Sequence, residues 1–142
     1  MQNIFLDANI CLDLLDSTRA NAKKTIEWYI KNLDNKEYSF YFSGDFITTF
    51  YYILSERKKI EKQKVVNAIK SLFKEIKPIF ITKQDYLNAI DDFNNNKFND
   101  FEDLIILNSA LNNNCNIFVT NDANLLKLKK FNKVTIITPQ YA

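Results

Sequence analysis

Apolar positions along the chain follow two rhythms. Ile4-Phe5-Leu6, Tyr38 to Phe42, Ile79-Phe80-Ile81, Ile117-Phe118-Val119 and Val134 to Ile137 are short apolar or aromatic runs. That length and continuity predict strands covered on both faces. Between them, apolar residues recur at helical spacing. A first helix carries Ile10, Leu12, Leu14 and Leu15, and a second, from about 17 to 33, carries Ala22, Ile26, Tyr29, Ile30 and Leu33. Ser43-Gly44-Asp45 opens a third through Phe46, Ile47, Phe50, Tyr51, Ile53 and Leu54, apolar nearly all round and so expected to be central. A fourth covers 61–76 with Val65, Ile69, Leu72, Phe73 and Ile76, and Pro78 ends it. Thr82 and Asp85 form a variant capping box before Tyr86, Leu87, Ile90 and Phe93. Asn112 to Cys115 closes a later helix, asparagine standing in for glycine at a left-handed position. Strands alternating with helices predict an α/β fold: a central parallel sheet of about five strands, helices on both faces, and one domain over 1–142.

One residue breaks the pattern. At about 100° per residue, Asp103 shares its arc of the helical wheel with Leu104, Ile106, Leu107, Ala110 and Leu111. An ionised carboxylate in apolar surroundings is costly unless something compensates it. Glu102 falls on another arc and reads as a solvated-face residue. Two further acids stand where apolar strands end: Asp7 after Ile4-Phe5-Leu6 and Asp122 after Ile117-Phe118-Val119. In open α/β sheets, sites form beyond the C-terminal ends of the strands, where strand order reverses. The helix carrying Asp103 ends where the strand at 117 begins, so its start lies near that strand's far end. Asp7, Asp103 and Asp122 therefore point to one end of the sheet, and Asp100, one turn earlier, can reach it too. Asp7, Asp100 and Asp122 each keep a second reading, as helix N-caps.

Composition narrows the chemistry. The chain has no histidine, which removes Ser-His and Cys-His nucleophile systems, histidine acid–base catalysis and histidine-ligated metals. Its one glycine, Gly44, removes the phosphate-binding loops that need several. Carboxylates must carry any reaction. Clustered like charges repel unless a cation sits among them, and hard oxygen ligands select Mg²⁺ or Mn²⁺. Metal-assisted phosphodiester hydrolysis is the leading chemistry. A net charge of +2 gives no independent sign of nucleic-acid binding. Lys127, Lys129, Lys130 and Lys133 follow Asp122 and could flank a substrate groove. The aromatics sit mostly at core spacing and do not read as a base-stacking platform. No apolar run reaches membrane-span length, no signal peptide is visible, and two isolated cysteines, Cys11 and Cys115, fit a reducing cytoplasm.

Ile4-Phe-Leu-Asp7-Ala-Asn9, Asp100-Phe-Glu-Asp103-Leu and Phe118-Val-Thr120-Asn-Asp122 together resemble the three acidic signatures of PIN domains. Many PIN domains are VapC-type toxins of bacterial toxin–antitoxin pairs. The resemblance spans nearly the whole chain. It implies a Mg²⁺-dependent ribonuclease acting on RNA, a cognate antitoxin that occludes the site, and frequent homodimerisation. Carried over, Asp7, Asp103 and Asp122 match the family's metal-binding acids, and Asp100 matches an extra acid of a subgroup. Thr120, and more weakly Asn9, match supporting polar residues, and Asn121 is counted with them. Many members carry a glutamate on the helix after the second strand, where this chain aligns Thr49. Asp45, one turn earlier, or Asp100 could compensate. The missing glutamate also motivates an alternative, a non-catalytic PIN-like module that holds RNA or protein. A phospho-acceptor receiver domain fits poorly: Ala8 stands where a paired acid is expected, and no lysine follows the last strand.

Overall fold

The computed structural model of the protein describes residues 1–139. Six strands form one sheet: β1 (Gln2–Leu6), β2 (Tyr38–Ser43), β3 (Ile76–Ile79), β4 (Ile117–Val119), β5 (Lys130–Phe131) and β6 (Val134–Ile137). Their spatial order is β3-β2-β1-β4-β6-β5. Every pairing is parallel except the terminal one, β5 with β6. The sheet grows from β1 toward β2 and β3 on one side, then resumes with β4 on the other. The β1–β4 seam is thus where strand order reverses, with Leu6 opposite Val119. Such a seam opens a crevice at the strands' C-terminal ends.

Among the described residues, seven α-helices cover the sheet: α1 (Ala8–Leu15), α2 (Ala22–Leu33), α3 (Ile47–Tyr51), α4 (Lys62–Leu72), α5 (Lys83–Asn94), α6 (Phe101–Asn112) and α7 (Ala123–Leu128). Alternation along β1 separates two cores. Ile4 and Leu6 pack with α1, Trp28 of α2, Phe50 and α4, whereas Phe5 packs with Phe118, α6 and Leu125. Phe5 and Phe118 stack across the β1–β4 seam at 5.1 Å. The expected helices on both faces are present. Among the described residues, no helix is long and apolar enough to cross a membrane.

In a chain with one glycine, asparagine takes three of the five positive-φ positions among the described residues, and Lys59 and Lys129 take the other two. Asn96 after α5, Asn114 after α6 and Asn132 in the β5–β6 turn have φ of 57°, 62° and 53°. Gly44 itself has no positive φ; a Cβ there would collide with the Phe80 ring, so the glycine makes room for that ring.

Several elements differ from the expectation. The sheet has six strands, because Lys130–Phe131 folds back antiparallel on β6. Helix α4 stops at Leu72, and Pro78 lies inside β3. An edge strand pairs on one side only, so it can hold a residue without an N–H. The third helix runs as a 3₁₀ turn at Gly44–Phe46, α3, then a π-helix at Tyr52–Arg57. It is not central: Thr48, Thr49 and Tyr52 face solvent while Phe50 and Leu54 are buried.

The largest departure is α5. Its apolar residues Tyr86, Leu87, Ile90 and Phe93 are exposed, and Asp85 and Ala89 are buried instead. Hydrogen bonding explains the inversion. Asn112 donates to Asp85 at 2.6 Å, Asn108 donates to Asp92 at 3.0 Å, and the Thr82–Asp85 capping box is complete. A buried carboxylate with partners is tolerated, and these partners all lie on α6 or the helix cap.

Candidate active site

The β1–β4 seam delivers Asp7 and Thr120 side by side. The Asp7 N–H donates to the Val119 carbonyl at 3.0 Å, continuing the ladder one residue past the strands. Chain direction then turns into α1 and α7, so the first residues after the strands cap those helices. Asp7 Oδ1 accepts from the Ala8 N–H at 2.9 Å, and Asp122 Oδ1 from the Asn124 and Leu125 N–H groups at 2.8 and 3.3 Å. Asp100 caps α6 by accepting from the Asp103 N–H at 3.1 Å. The two readings of these acids coincide, because helices start where parallel strands end. In Asp122, capping engages Oδ1 alone among the described residues.

Thr120, fully buried, is the hub. Its hydroxyl donates to Asp7 Oδ2 at 2.8 Å and accepts from Asn9 Nδ2 at 3.1 Å and the Asp122 N–H at 3.0 Å. Asn9 Nδ2 also reaches Asp7 Oδ2 at 3.2 Å, and Asn9 Oδ1 accepts from the Asn121 N–H at 3.0 Å. Asn9 and Thr120 therefore contact Asp7 directly, and Asn121 contacts Asn9 through its backbone N–H. Thr120→Val keeps the shape but removes the hydroxyl. It is expected to weaken Mn²⁺ binding about 10- to 100-fold, as loss of a group that orients a ligand does, and Thr120→Ser is expected to retain it. Calorimetric titration of both variants checks this; equal affinities would remove the positioning role.

Asp103 completes the cluster from α6. It lines a pocket of about 520 Å³ together with Asp7, Thr49 and Glu102. Burial, then the charges of Asp100, Asp7, Asp122 and Glu102, push its carboxyl up to about 7. Burial also raises Asp7, and the Asp122 charge adds to the rise against the hydrogen bonds from Thr120, Ala8 and Asn9. Asp103 lies in the fields of Asp100, Asp7 and Asp122, and Asp7 in that of Asp122, the condition a cation relieves.

The donor chemistry fits a hard dication: carboxylate, hydroxyl and amide oxygens, with no thiol or imidazole among these residues. As the side chains stand, no three acids share one coordination sphere among the described residues. Mg²⁺ keeps several waters and commonly takes only one or two carboxylates directly, so it does not require three acids in contact.

The remaining sequence candidates fall outside the cluster's polar contacts. Asp45 Oδ2 accepts from the Ile81 N–H at 2.9 Å and from Ser43, tying the 3₁₀ turn to the segment after β3. Thr49 lines the pocket and brings a hydroxyl to it, not a carboxylate. Lys127, Lys129 and Lys130 are exposed on α7 and β5 and do not line the pocket.

Sequence reasoning missed a buried acid beside the cluster. Asp13 on α1 accepts from Arg19 Nε at 2.8 Å and Thr25 at 2.7 Å, with Asn121 Nδ2 at 3.5 Å. It braces Asn121, and through it Asn9, from behind. An acid among Ile10, Leu12, Leu14 and Leu15 is the same anomaly that singled out Asp103.

Comparison with known proteins agrees with this geometry. The family model for the PIN domain matches residues 3–124. Ribonuclease VapC1 of Aquifex aeolicus (strain VF5) is 32% identical over 122 residues, 85% of this chain and 82% of that protein. Among solved structures, the Mycobacterium tuberculosis VapC20 sarcin-ricin loop cleaving toxin superposes with a TM-score of 0.69 at 13% identity, over 93% of this chain and 98% of that one. VapBC-1 from nontypeable Haemophilus influenzae gives 0.68 at 17% identity, over 98% and 99%. These two structures bear on the fold alone. With Asp7, Asp103 and Asp122 at the β1–β4 seam and a family match over most of its length, the chain belongs to the PIN domain family.

Proposed function

We propose that the chain is a metal-dependent endoribonuclease that hydrolyses RNA phosphodiester bonds, and that it is the toxin of a type II toxin–antitoxin pair. The observation that carries this reading is the mutual field of Asp7, Asp103 and Asp122 at the seam, in a chain 32% identical to ribonuclease VapC1. Asp7, Asp103 and Asp122 are the residues that would hold Mg²⁺ or Mn²⁺, with Asp100 beside them. A bound dication there supplies Lewis acidity at the phosphoryl oxygen and lowers the pKa of water. The chain's own groups set the stage. Thr120 and Asn9 fix the Asp7 carboxylate through Oδ2. Without metal, burial and the neighbouring acids raise the Asp103 carboxyl to about 7, so a dication would compete there with a proton. The exposed lysines after Asp122 give positive charge for an RNA backbone.

An antitoxin partner and a homodimer belong to the same proposal. The exposed apolar residues Leu87, Ile90 and Phe93 on α5, away from the pocket, support a second copy as their cover, and a monomer mass by light scattering would remove that part. The free, buried Cys11 and Cys115 suit a cytoplasmic location. Expression of the chain alone is expected to arrest bacterial growth, with relief by Asp7→Asn and by co-expression of a small partner encoded immediately upstream. Normal growth with folded, abundant protein would overturn the toxin reading. Thr49 in the pocket wall favours one alternative, a PIN-like module that holds RNA or protein without cutting. RNA binding without cleavage, unaffected by loss of the acids, would favour it.

A further inference from the structure

The pocket at Asp7 and Asp103 has two characters. Acids form one rim, yet Phe46, Ile81, Ile105 and Ile106 line the rest, with Tyr86 of α5 among the walls. Holding a hard cation does not require apolar ground, which takes no part in oxygen coordination. The apolar part is rigid. Phe46 packs on Phe5 at 6.4 Å and on Phe50 at 5.8 Å. Tyr86 follows Asp85, which is fully buried and held by Asn112 and the helix cap, yet Tyr86 itself is 45% exposed. An aromatic ring on an anchored backbone and half open to solvent presents a stacking surface. Polar groups are few: Thr49 offers a hydroxyl, and Glu102, exposed at the rim, offers acceptors only.

Position selects the occupant. Whatever is bonded to a phosphate held at Asp7 and Asp103 must enter or skirt this pocket, because those two side chains line it. Single-stranded RNA is recognised by splayed bases stacked on aromatic rings and hydrogen-bonded at their edges. Resting on the ribonuclease reading above, we propose that the pocket takes one unpaired nucleobase of a nucleotide joined to the scissile phosphate. Tyr86 stacks on it, and Glu102 accepts from an N–H on its edge. Glu102 then favours bases that present such donors, so the pocket sets sequence preference at one position.

The test uses RNA binding, read by fluorescence anisotropy in an Asp103→Asn background that does not cut. An abasic residue is placed in turn at each nucleotide flanking the cleaved bond. At one position it is expected to weaken binding about tenfold, the scale of a lost base–aromatic stack. Adding Tyr86→Ala is expected to weaken binding of the intact RNA similarly and shrink that abasic penalty below about twofold; Tyr86→Phe is expected to preserve both. Glu102→Gln is expected to change base preference at that position alone. Abasic penalties independent of Tyr86, or none at any position while RNA still binds, would overturn the proposal and leave the nuclease reading intact. That result would point to an apolar side chain of a protein partner as the occupant. RNA neither bound nor cut by the unaltered chain would overturn both.

Discussion

Asp103→Asn is expected to lower RNA cleavage about a thousandfold or more, the scale of several kcal/mol of lost charge stabilisation. Without metal, the same change is expected to raise the thermal midpoint of the protein above neutral pH. The two effects share one cause. Burial and four neighbouring acids raise the Asp103 carboxyl from 3.8 to about 7. The folded state therefore holds this proton more tightly than the unfolded chain does. Below pH about 4 both states are protonated and the group leaves stability unchanged. As pH rises toward about 7, the unfolded chain releases its proton first, and folding stability falls. Above the folded pKa the charge is fully present and its destabilisation is complete. Asparagine carries no charge and escapes that loss, so the variant's midpoint should exceed the parent's at about pH 8 and match it at about pH 4. Added Mg²⁺ should raise the parent's midpoint more than the variant's, because only the parent keeps the full ligand set. Thermal scans at the two pH values, with and without metal, read all of this. A variant less stable than the parent at the higher pH without metal would show that the acids do not strain the fold.

Arg19→Ala is expected to destabilise the protein by about 3 kcal/mol, the lower end of the range for stripping one partner from a buried ion pair. Asp13 is 1% exposed and takes the Arg19 Nε–H at 2.8 Å. Thr25 alone would remain close to the carboxylate, with Asn121 at a long 3.5 Å. In a chain of this size the loss corresponds to about 10 °C in midpoint. Arg19→Lys should recover only part, because an ammonium is a point charge that cannot reproduce the guanidinium's rigid fork. Urea unfolding of both variants measures the difference. A change under about 1 kcal/mol would mean that Arg19 does not compensate the buried Asp13 carboxylate, contrary to their contact.

Much of the site was legible in the chain because topology, not side-chain detail, brings it together. Apolar runs before Asp7 and Asp122 mark strand ends, and parallel pairing of β1 with β4 makes those ends neighbours. Asp103 stood out as a carboxylate on an apolar arc, and it lines the pocket with Asp7. Left-handed asparagine after α6 was likewise readable, since Asn114 has φ 62°. The unread parts depend on partners distant in sequence. Helix α5 shows solvent its apolar face because Asn108 and Asn112 hold its polar one, and periodicity cannot see those bonds. That inversion also hid Tyr86 as a pocket wall. Pro78 punctuates a helix in most contexts, and only its place on an edge strand lets β3 continue through it. Strand β5 is two residues long, below what alternation can register. Asp13 was missed although its surroundings resemble those of Asp103; its resolution is an internal ion pair and not a site.

One measurement bears most directly on the claim that Asp7, Asp103 and Asp122 act together around a hard dication. End-labelled RNA is incubated with the purified chain in Mg²⁺ or in chelator, beside Asp103→Asn. The account predicts cleavage by the parent in Mg²⁺ only, with products lacking a 2′,3′-cyclic phosphate because water and not the ribose hydroxyl attacks. Cleavage that survives chelation, or that Asp103→Asn leaves at the parental rate, would contradict it.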